Sequence, residues 1–245
     1  MLHIAAFLLL SSNSAIHQRM SSYLEAIAYS FYNNLIAGNA YLVVLKGLWI
    51  TLLISALGLL FGTFFGAILC FARMSQPKIL NTAARFVIAL LRGSPVLLLL
   101  MILYYVVFAN SRIDAVIIAV IAFALNSGAH IAEVMRSALE AVDKKQLEAA
   151  RMLGFSKSKA FLAITLPQAG KIAKPVYQNA IINLVQWTSV VGYVTITDLT
   201  RTVNNIGART GDPFFALFFG VLLYLGISYA ITLLFSIGNK EESRV

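Results

Sequence analysis

Long apolar runs separated by short polar segments dominate the chain from residue 47 onward. Several of them exceed the roughly 18 residues typical of a membrane-spanning helix. They predict five spans, at about 47–72, 95–109, 113–135, 175–195 and 213–237. The second run would form a helix of only about 22 Å, so we expect part of the preceding FVIALL (86–91) to enter the bilayer as well. No period-two alternation is present, so the predicted fold is an all-α polytopic membrane protein rather than a β-barrel.

The first 45 residues follow a different pattern. Residues 23–45 mix tyrosine and phenylalanine with polar residues, which is typical of a helix lying at the membrane surface. IAAFLLL, at 4–10, is too short to span and follows no basic residue. We interpret it as a disordered or incorrectly assigned start, with Met20 as an alternative initiator. The predicted organisation is an N-terminal segment (1–45), a transmembrane domain (46–240) and a cytoplasmic tail (241–245).

Composition and charge support this interpretation. Of the 245 residues, 60% are hydrophobic and 12% are charged, whereas soluble domains carry about 25% charged residues. The net charge of +9 comes from basic residues clustered between spans, which indicates the positive-inside rule rather than nucleic-acid binding. That asymmetry predicts an external N-terminus and a cytoplasmic C-terminus. A single cysteine, Cys70, leaves no intramolecular disulfide, and we find no metal-site spacing, no nucleotide-binding motif and no nucleophile–base pair of an enzyme.

Two of the predicted spans carry polar residues at i, i+4 and i+7. They are Asn126, His130 and Glu133 in the third span and Asn179, Asn183 and Gln186 in the fourth. A carboxylate at the centre of a membrane helix costs about 2.5–3.5 kcal/mol, so Glu133 is either functional or paired with Arg136 one turn later. The amides either line a substrate path or join helices by hydrogen bonds worth about 0.6 kcal/mol each. We predict that these six residues line the substrate path, with the Glu133–Arg136 ion pair and hydrogen bonds between helices as the alternatives.

Three glycines in the first span recur every fourth residue, at Gly58, Gly62 and Gly66. The missing side chains would let a neighbouring helix approach closely and gain van der Waals contact in lipid. We therefore predict a helix-packing face there.

The polar segment 144–167 contains EAARMLGFSKSKAFLAITLP (148–167). Good helix formers followed by Gly154 predict a short helix with a left-handed C-cap. Ser156 is a suitable N-cap for a second helix that leads to Pro167. The apolar side of that second helix would consist of Phe161, Ile164 and Leu166.

This segment resembles the EAA loop of permease subunits in ATP-binding-cassette importers. The matching positions are Glu148, Ala149, Ala150, Gly154, Ile164, Leu166 and Pro167. RGSP (92–95), the stretch 131–154 and PQA (167–169) are similar to the polar amino-acid subgroup, of histidine, glutamine and arginine type. The chain departs from that subgroup at Gln186-Trp187, where a basic–acidic pair is usual, and at Lys145, where glycine is common.

The resemblance implies the membrane-spanning subunit of an ATP-driven importer in the bacterial inner membrane. Its substrate would be a polar amino acid, delivered by an extracytoplasmic solute-binding protein. The loop would dock on separate ATPase subunits, which bind ATP and magnesium, whereas this chain binds no cofactor. The second permease subunit would be an identical chain or a paralogue. The alternative, a stand-alone channel or secondary transporter for a small polar solute, fits poorly with a docking loop and with the lack of inverted repeats.

Overall fold

The structure, a computed structural model, describes residues 22–242, with side chains through residue 237, and every regular element in that range is helical. The elements are α1 (22–31), α2 (Ala40–Arg73), α3 (Lys78–Gly93), α4 (Val96–Ile102), α5 (Ala115–Glu140), α6 (Lys144–Met152), α7 (Lys157–Ala160), α8 (Leu166–Trp187), α9 (Leu199–Thr210) and α10 (Pro213–Glu242). The predicted all-α architecture is confirmed. IAAFLLL, Met20 and most of the predicted tail lie outside the described residues.

Three helices in the described range are long and apolar enough to cross a membrane: α2, α5 and the Pro213–Ile237 part of α10. Two bent helix pairs raise the number to five when each pair is counted as one span. In an 18-residue apolar stretch of each of these helices, the share that is buried within the molecule is 67% for α5, 33% for α2 and 11% for α10. α5 is therefore the central helix, and α10 lies at the periphery.

The second predicted span is a bent pair, in which α3 and α4 meet at 102°. Ser94 and Pro95 adopt extended backbone between them, with ψ of 131° and 128°. Proline disfavours helical backbone in the residue before it, which explains why α3 ends here. The predicted break at Pro95 is confirmed. Residues 86–91 belong to α3, and the buried residues of this helix are Ala84, Ile88 and Leu91.

The helix that contains the fourth predicted span begins before that span. α8 starts at Leu166 rather than at Pro175, and a π-helical turn, Phe161–Thr165, joins it directly to α7. Pro167 lies in the first turn of α8, where its missing N–H would have no intrahelical partner. Helical backbone therefore passes through Pro167, which we expected to end the second helix of the polar segment 144–167. Pro175 lies inside α8.

The segment between the fourth and fifth predicted spans contains a helix, α9. Its N-cap Asp198 is fully buried and accepts hydrogen bonds from the N–H groups of Thr200 and Arg201, at 3.1 and 3.0 Å. Gly211, with φ of 72°, ends the helix in left-handed backbone. The buried side chains Leu199, Val203 and Ile206 belong to a cluster shared with α2 and α10. A capping aspartate, apolar positions at helical spacing and a terminal glycine were the signals in the sequence.

The helix expected at the N-terminal end is present as α1 and continues into a π-helical turn, Tyr32–Ile36. α2 then starts at Ala40, before the predicted boundary at Gly47. The extra turns are held because Ala40 and Val44 are buried in the cluster that α9 and α10 also form. That contact lies between segments far apart in the sequence, so the local pattern of residues 40–46 does not reveal it.

A polar network around the buried Asn34 joins the N-terminal helix to the turn before α10. Asn34 is 1% exposed and donates to the Asp212 carboxylate at 3.2 Å. The Ser30 hydroxyl also donates to Asp212, and the Thr210 hydroxyl donates to the Asn34 side-chain oxygen. The hydrogen bond from Ser30 lowers the pKa of Asp212 from its ordinary value. The sequence analysis did not single out these residues.

Candidate functional site

A cavity of about 510 Å³ lies between α5 and α8, and Arg92 at the end of α3 also lines it. Four of the six predicted path residues line it: His130 and Glu133 from α5, and Asn179 and Asn183 from α8. Both asparagine side chains are exposed in this cavity, and neither makes a hydrogen bond to another described residue. Their amides are therefore available to a ligand.

Asn126 and Gln186 do not line this cavity. Asn126 is 3% exposed, and its Nδ2 donates to the backbone carbonyl of Leu91 at 2.9 Å. Gln186 faces a separate groove between α8, α9 and α10, together with Tyr224. Helical spacing shows that residues share a face, but it does not show which part of that face another helix covers. Here the end of α3 covers Asn126.

Glu133 is paired on both carboxylate oxygens. Oε1 accepts from Nε of Arg73 at 2.8 Å, and Oε2 accepts from Nη2 of Arg136 at 2.9 Å. Arg136 also pairs with Glu140 one turn later. The ion pair with Arg136 is one of the two alternatives drawn from the sequence, whereas Arg73 was not considered because it lies 60 residues away. Glu133 therefore lines the cavity as a neutralised acid.

Aromatic side chains of α8 complete the site. The ring of Trp187 contacts that of His130, with centroids 5.3 Å apart, and both residues line the cavity. Tyr177 shares a hydrogen bond of 2.6 Å with Thr63 of α2. Tyr177 is not among the residues that line the cavity, and the sequence analysis did not assign Trp187 to the site. Trp187 follows Asn183 at i+4, and that spacing on an already polar face was the signal for it.

The three glycines of α2 lie against α5. A methyl group built on Gly66 would come within 2.7 Å of the carbonyl oxygen of Gly128. One on Gly62 would clash with the hydroxyl of Ser127 and come within 3.2 Å of the carbonyl oxygen of Ala124. On Gly58 it would meet Phe123 Cβ at 3.1 Å. The two backbones therefore approach too closely for side chains at these positions.

The coupling segment, α6 and α7, turns through a Schellman motif. The N–H of Phe155 donates to the carbonyl of Ala150, and that of Gly154 to Arg151, both at 3.1 Å. Gly154 has φ of 87°, so the predicted left-handed cap is present. The predicted N-cap is present as well, since the Ser156 hydroxyl accepts from the N–H of Lys159 at 3.3 Å. The result is a fixed turn between two short helices.

The coupling segment is fastened to the spans on one side and exposed on the other. Gln168 of α8 donates to Gln146 of α6 at 2.6 Å, and Ala138, Val142 and Ala169 form a small core between α5 and α8. The motif residues Glu148, Ala149, Leu166 and Pro167 are exposed, Ile164 is half-buried and Ala150 is buried. Of the predicted apolar side, Phe161 and Ile164 are half-buried and Leu166 is exposed, and the buried residues beside them are Ala160 and Thr165.

An apolar tip projects from the turn between α6 and α7. Met152 is 90% exposed and Leu153 is 80% exposed, although both are hydrophobic. The sequence analysis did not single them out, because a helical wheel of α6 does not show which residues lie beyond the reach of the spans. Exposed apolar side chains on a rigid turn are typical of a protein contact.

No group of three or more histidine, cysteine, aspartate or glutamate side chains in the described part of the chain is arranged to hold a metal ion. What the site can do chemically is hydrogen-bond a polar solute between two membrane helices. It presents amides, an imidazole and an indole there, beside a segment built for contact with another protein.

Comparison with known proteins agrees with this geometry. Residues 58–240 match the family described as binding-protein-dependent transport system inner membrane component. The probable amino-acid ABC transporter permease protein YckA of Bacillus subtilis (strain 168) is 36% identical over 197 residues, which cover 80% of this chain and 87% of that protein. The arginine transport system permease protein ArtQ of the same organism is 32% identical over 203 residues, 82% of this chain and 91% of ArtQ.

A solved structure shows the same fold. The crystal structure of an amino acid ABC transporter with histidines superposes with a TM-score of 0.75 at 27% identity, over 89% of this chain and 97% of that chain. The family match covers most of the sequence and the relatives are matched over nearly their full length. The chain therefore belongs to the family of binding-protein-dependent transport system inner membrane components and is the membrane-spanning permease subunit of an importer.

Proposed function

We propose that this permease carries a polar amino acid through the cavity between α5 and α8. The observation that supports it most directly is the pair of exposed, unpaired amides, Asn179 and Asn183. They lie on the α8 side of the cavity, where the other lining residues are apolar or aromatic. An amino acid offers donors and acceptors at both ends, and such a wall replaces part of its hydration along the path. The relatives are named as transporters of amino acids, arginine among them.

The energy comes from separate ATPase subunits that contact the coupling segment. Met152 and Leu153 supply the apolar contact, with Glu148 exposed beside them. Because the turn at Gly154 is fixed and the segment is packed on α5 and α8, motion of the ATPase is passed to the cavity walls as rigid-body movement. ATP and magnesium bind to those partner subunits.

The remaining partners are a second permease subunit, identical or paralogous, and a solute-binding protein on the opposite side of the membrane. The orientation follows from charge: the basic coupling segment is cytoplasmic and α9 is external. A stand-alone channel or secondary transporter is not favoured, since the family consists of components of multi-subunit systems.

The test is reconstitution of the permease in lipid vesicles with the ATPase and solute-binding protein encoded beside it. We expect the chain alone to hydrolyse no ATP and the complete system to take up at least one polar amino acid. ATP hydrolysis by the purified chain, or uptake without the ATPase, would contradict the proposal.

Orientation is tested by single cysteines, in a Cys70→Ser background, at Ser156 (cytoplasmic) and at Asn204 (external). An impermeant maleimide should label only position 204 in intact cells. Ser243, also expected to be cytoplasmic, lies outside the described residues. Labelling of position 156 in intact cells would reverse the orientation.

A further inference from the structure

Arg92 lines the cavity, and no ion pair joins it to another residue in the described part of the chain. Arg92 stands in the last turn of α3, where the chain bends into α4. Its neighbour Leu91 accepts the hydrogen bond from Asn126, and this contact sets the end of α3 level with that residue of α5. Asn126 lies about 17 Å along a helix of about 39 Å, at a rise of 1.5 Å per residue. The end of α3 therefore lies beside the middle part of α5.

No carboxylate in residues 22–237 pairs with Arg92. The acid that shares its cavity, Glu133, has both oxygens bonded to Arg73 and Arg136. Ionised side chains in the helices of membrane proteins are normally paired or line a solute path. A guanidinium binds a carboxylate through two parallel hydrogen bonds, which makes a carboxylate its best-matched partner.

We propose that Arg92 binds the α-carboxylate of the transported amino acid. This inference rests on the proposed function, because it needs an amino acid in the cavity. Every amino acid has an α-carboxylate, so Arg92 selects the class of substrate, while Asn179, Asn183 and Trp187 surround the rest of the molecule. A bound substrate would then supply the missing counter-charge and be held between α3 and α8.

The first test is transport. In vesicles containing the complete system, Arg92→Gln should lower uptake at least tenfold, while the yield of the complex and the ATP hydrolysis stimulated by the binding protein stay within twofold. Arg92→Lys keeps the charge but loses the bidentate geometry, so we expect partial uptake. Lys78→Gln, which removes a cation from the start of the same helix away from the cavity, is the matched control and should transport normally.

The second test measures binding without the solute-binding protein. Trp187 and Trp49 are the two tryptophans of the chain, so a Trp49→Phe variant, compared with one that also carries Trp187→Phe, isolates the emission of Trp187. The permease–ATPase complex in nanodiscs is titrated with glutamine, arginine and histidine and with their carboxamides. We expect the transported amino acid to change Trp187 emission, its carboxamide to bind at least tenfold more weakly, and Arg92→Gln to lose the response.

Several results would overturn the inference. They are normal uptake by Arg92→Gln, equal binding of the acid and its carboxamide, and no Trp187 response to an amino acid that the vesicles take up. Failure of both Arg92→Gln and Arg92→Lys to assemble would assign the residue a structural role and equally overturn it. If the unaltered system takes up no amino acid at all, the proposed function itself fails, which is a different outcome from selective loss in Arg92→Gln.

Discussion

Arg73, the last residue of α2, donates from Nε to Oε1 of Glu133 on α5 at 2.8 Å. This pair ties the ends of two long helices together beside the coupling segment. It also neutralises the acid that lines the cavity, since the second oxygen of Glu133 is bonded to Arg136. The position of a carboxylate in a membrane helix thus reflects structure here at least as much as substrate contact.

Substitution of Glu133 should therefore cost stability. Glu133→Gln leaves Arg73 without a counter-charge and Arg136 with Glu140 alone, and we expect the free energy of unfolding to fall by about 1–3 kcal/mol. Glu140→Gln is the control, because Glu140 is 54% exposed and pairs with Arg136 on the surface; its effect should stay below about 1 kcal/mol. Unfolding in mixed micelles titrated with sodium dodecyl sulfate measures both. Equal losses in the two variants would contradict the assignment.

Two asparagines that the sequence analysis grouped together should behave oppositely. Asn126→Leu leaves the carbonyl of Leu91 unpaired in the interior, so it should destabilise the protein by about 1–3 kcal/mol and lower the yield of the complex. Asn183→Leu breaks no hydrogen bond between described residues, so the complex should assemble normally while uptake falls or its substrate preference shifts. Complex yield, stimulated ATP hydrolysis and uptake of several amino acids are scored side by side. Loss of assembly in Asn183→Leu would remove it from the path.

The glycine contact between α2 and α5 predicts a graded response to alanine. Gly66→Ala should be more harmful than Gly58→Ala, by about 1–3 kcal/mol, because its methyl group meets a backbone oxygen at 2.7 Å and backbone does not move aside. Gly58→Ala meets only Phe123 Cβ, at 3.1 Å, and should cost less. Gly220→Ala on α10, which has open space around it, is the control. The same titration checks the order, and a Gly66→Ala protein as stable as Gly220→Ala would argue against close packing.

The turn of the coupling segment should be sensitive to any side chain at Gly154. Gly154→Val forces a β-branched residue into left-handed backbone at a cost of about 1–2 kcal/mol, although no neighbouring atom would clash with its Cβ. We expect normal insertion but loss of the ATPase subunit, or ATP hydrolysis without uptake. Gly170→Val, in the helical part of α8 with equally open surroundings, is the control. Normal uptake with normal complex yield in Gly154→Val would refute the coupling role of the turn.

Local sequence was sufficient for features that depend on neighbouring residues. The break at Pro95, the left-handed cap at Gly154 and the N-cap at Ser156 are all present, because each follows from backbone preferences within one turn. The helices α2 and α8 begin before the spans predicted from hydropathy, for the opposite reason. A buried contact holds Ala40, and a proline in the first turn lets α8 begin at Leu166, so neither end coincides with a change in hydropathy.

The sequence by itself determined that this is a helical membrane protein of about five spans with a polar coupling segment, since hydropathy, helical spacing and capping are properties of short stretches. Only the tertiary structure decided which polar residues share a cavity. It paired Glu133 with Arg73 from another helix, covered Asn126 with the end of α3, turned Gln186 to a different groove and left Arg92 without a counter-charge. The physical reason is that helical spacing sets the direction of a side chain, whereas its partner is set by which helix packs on that side.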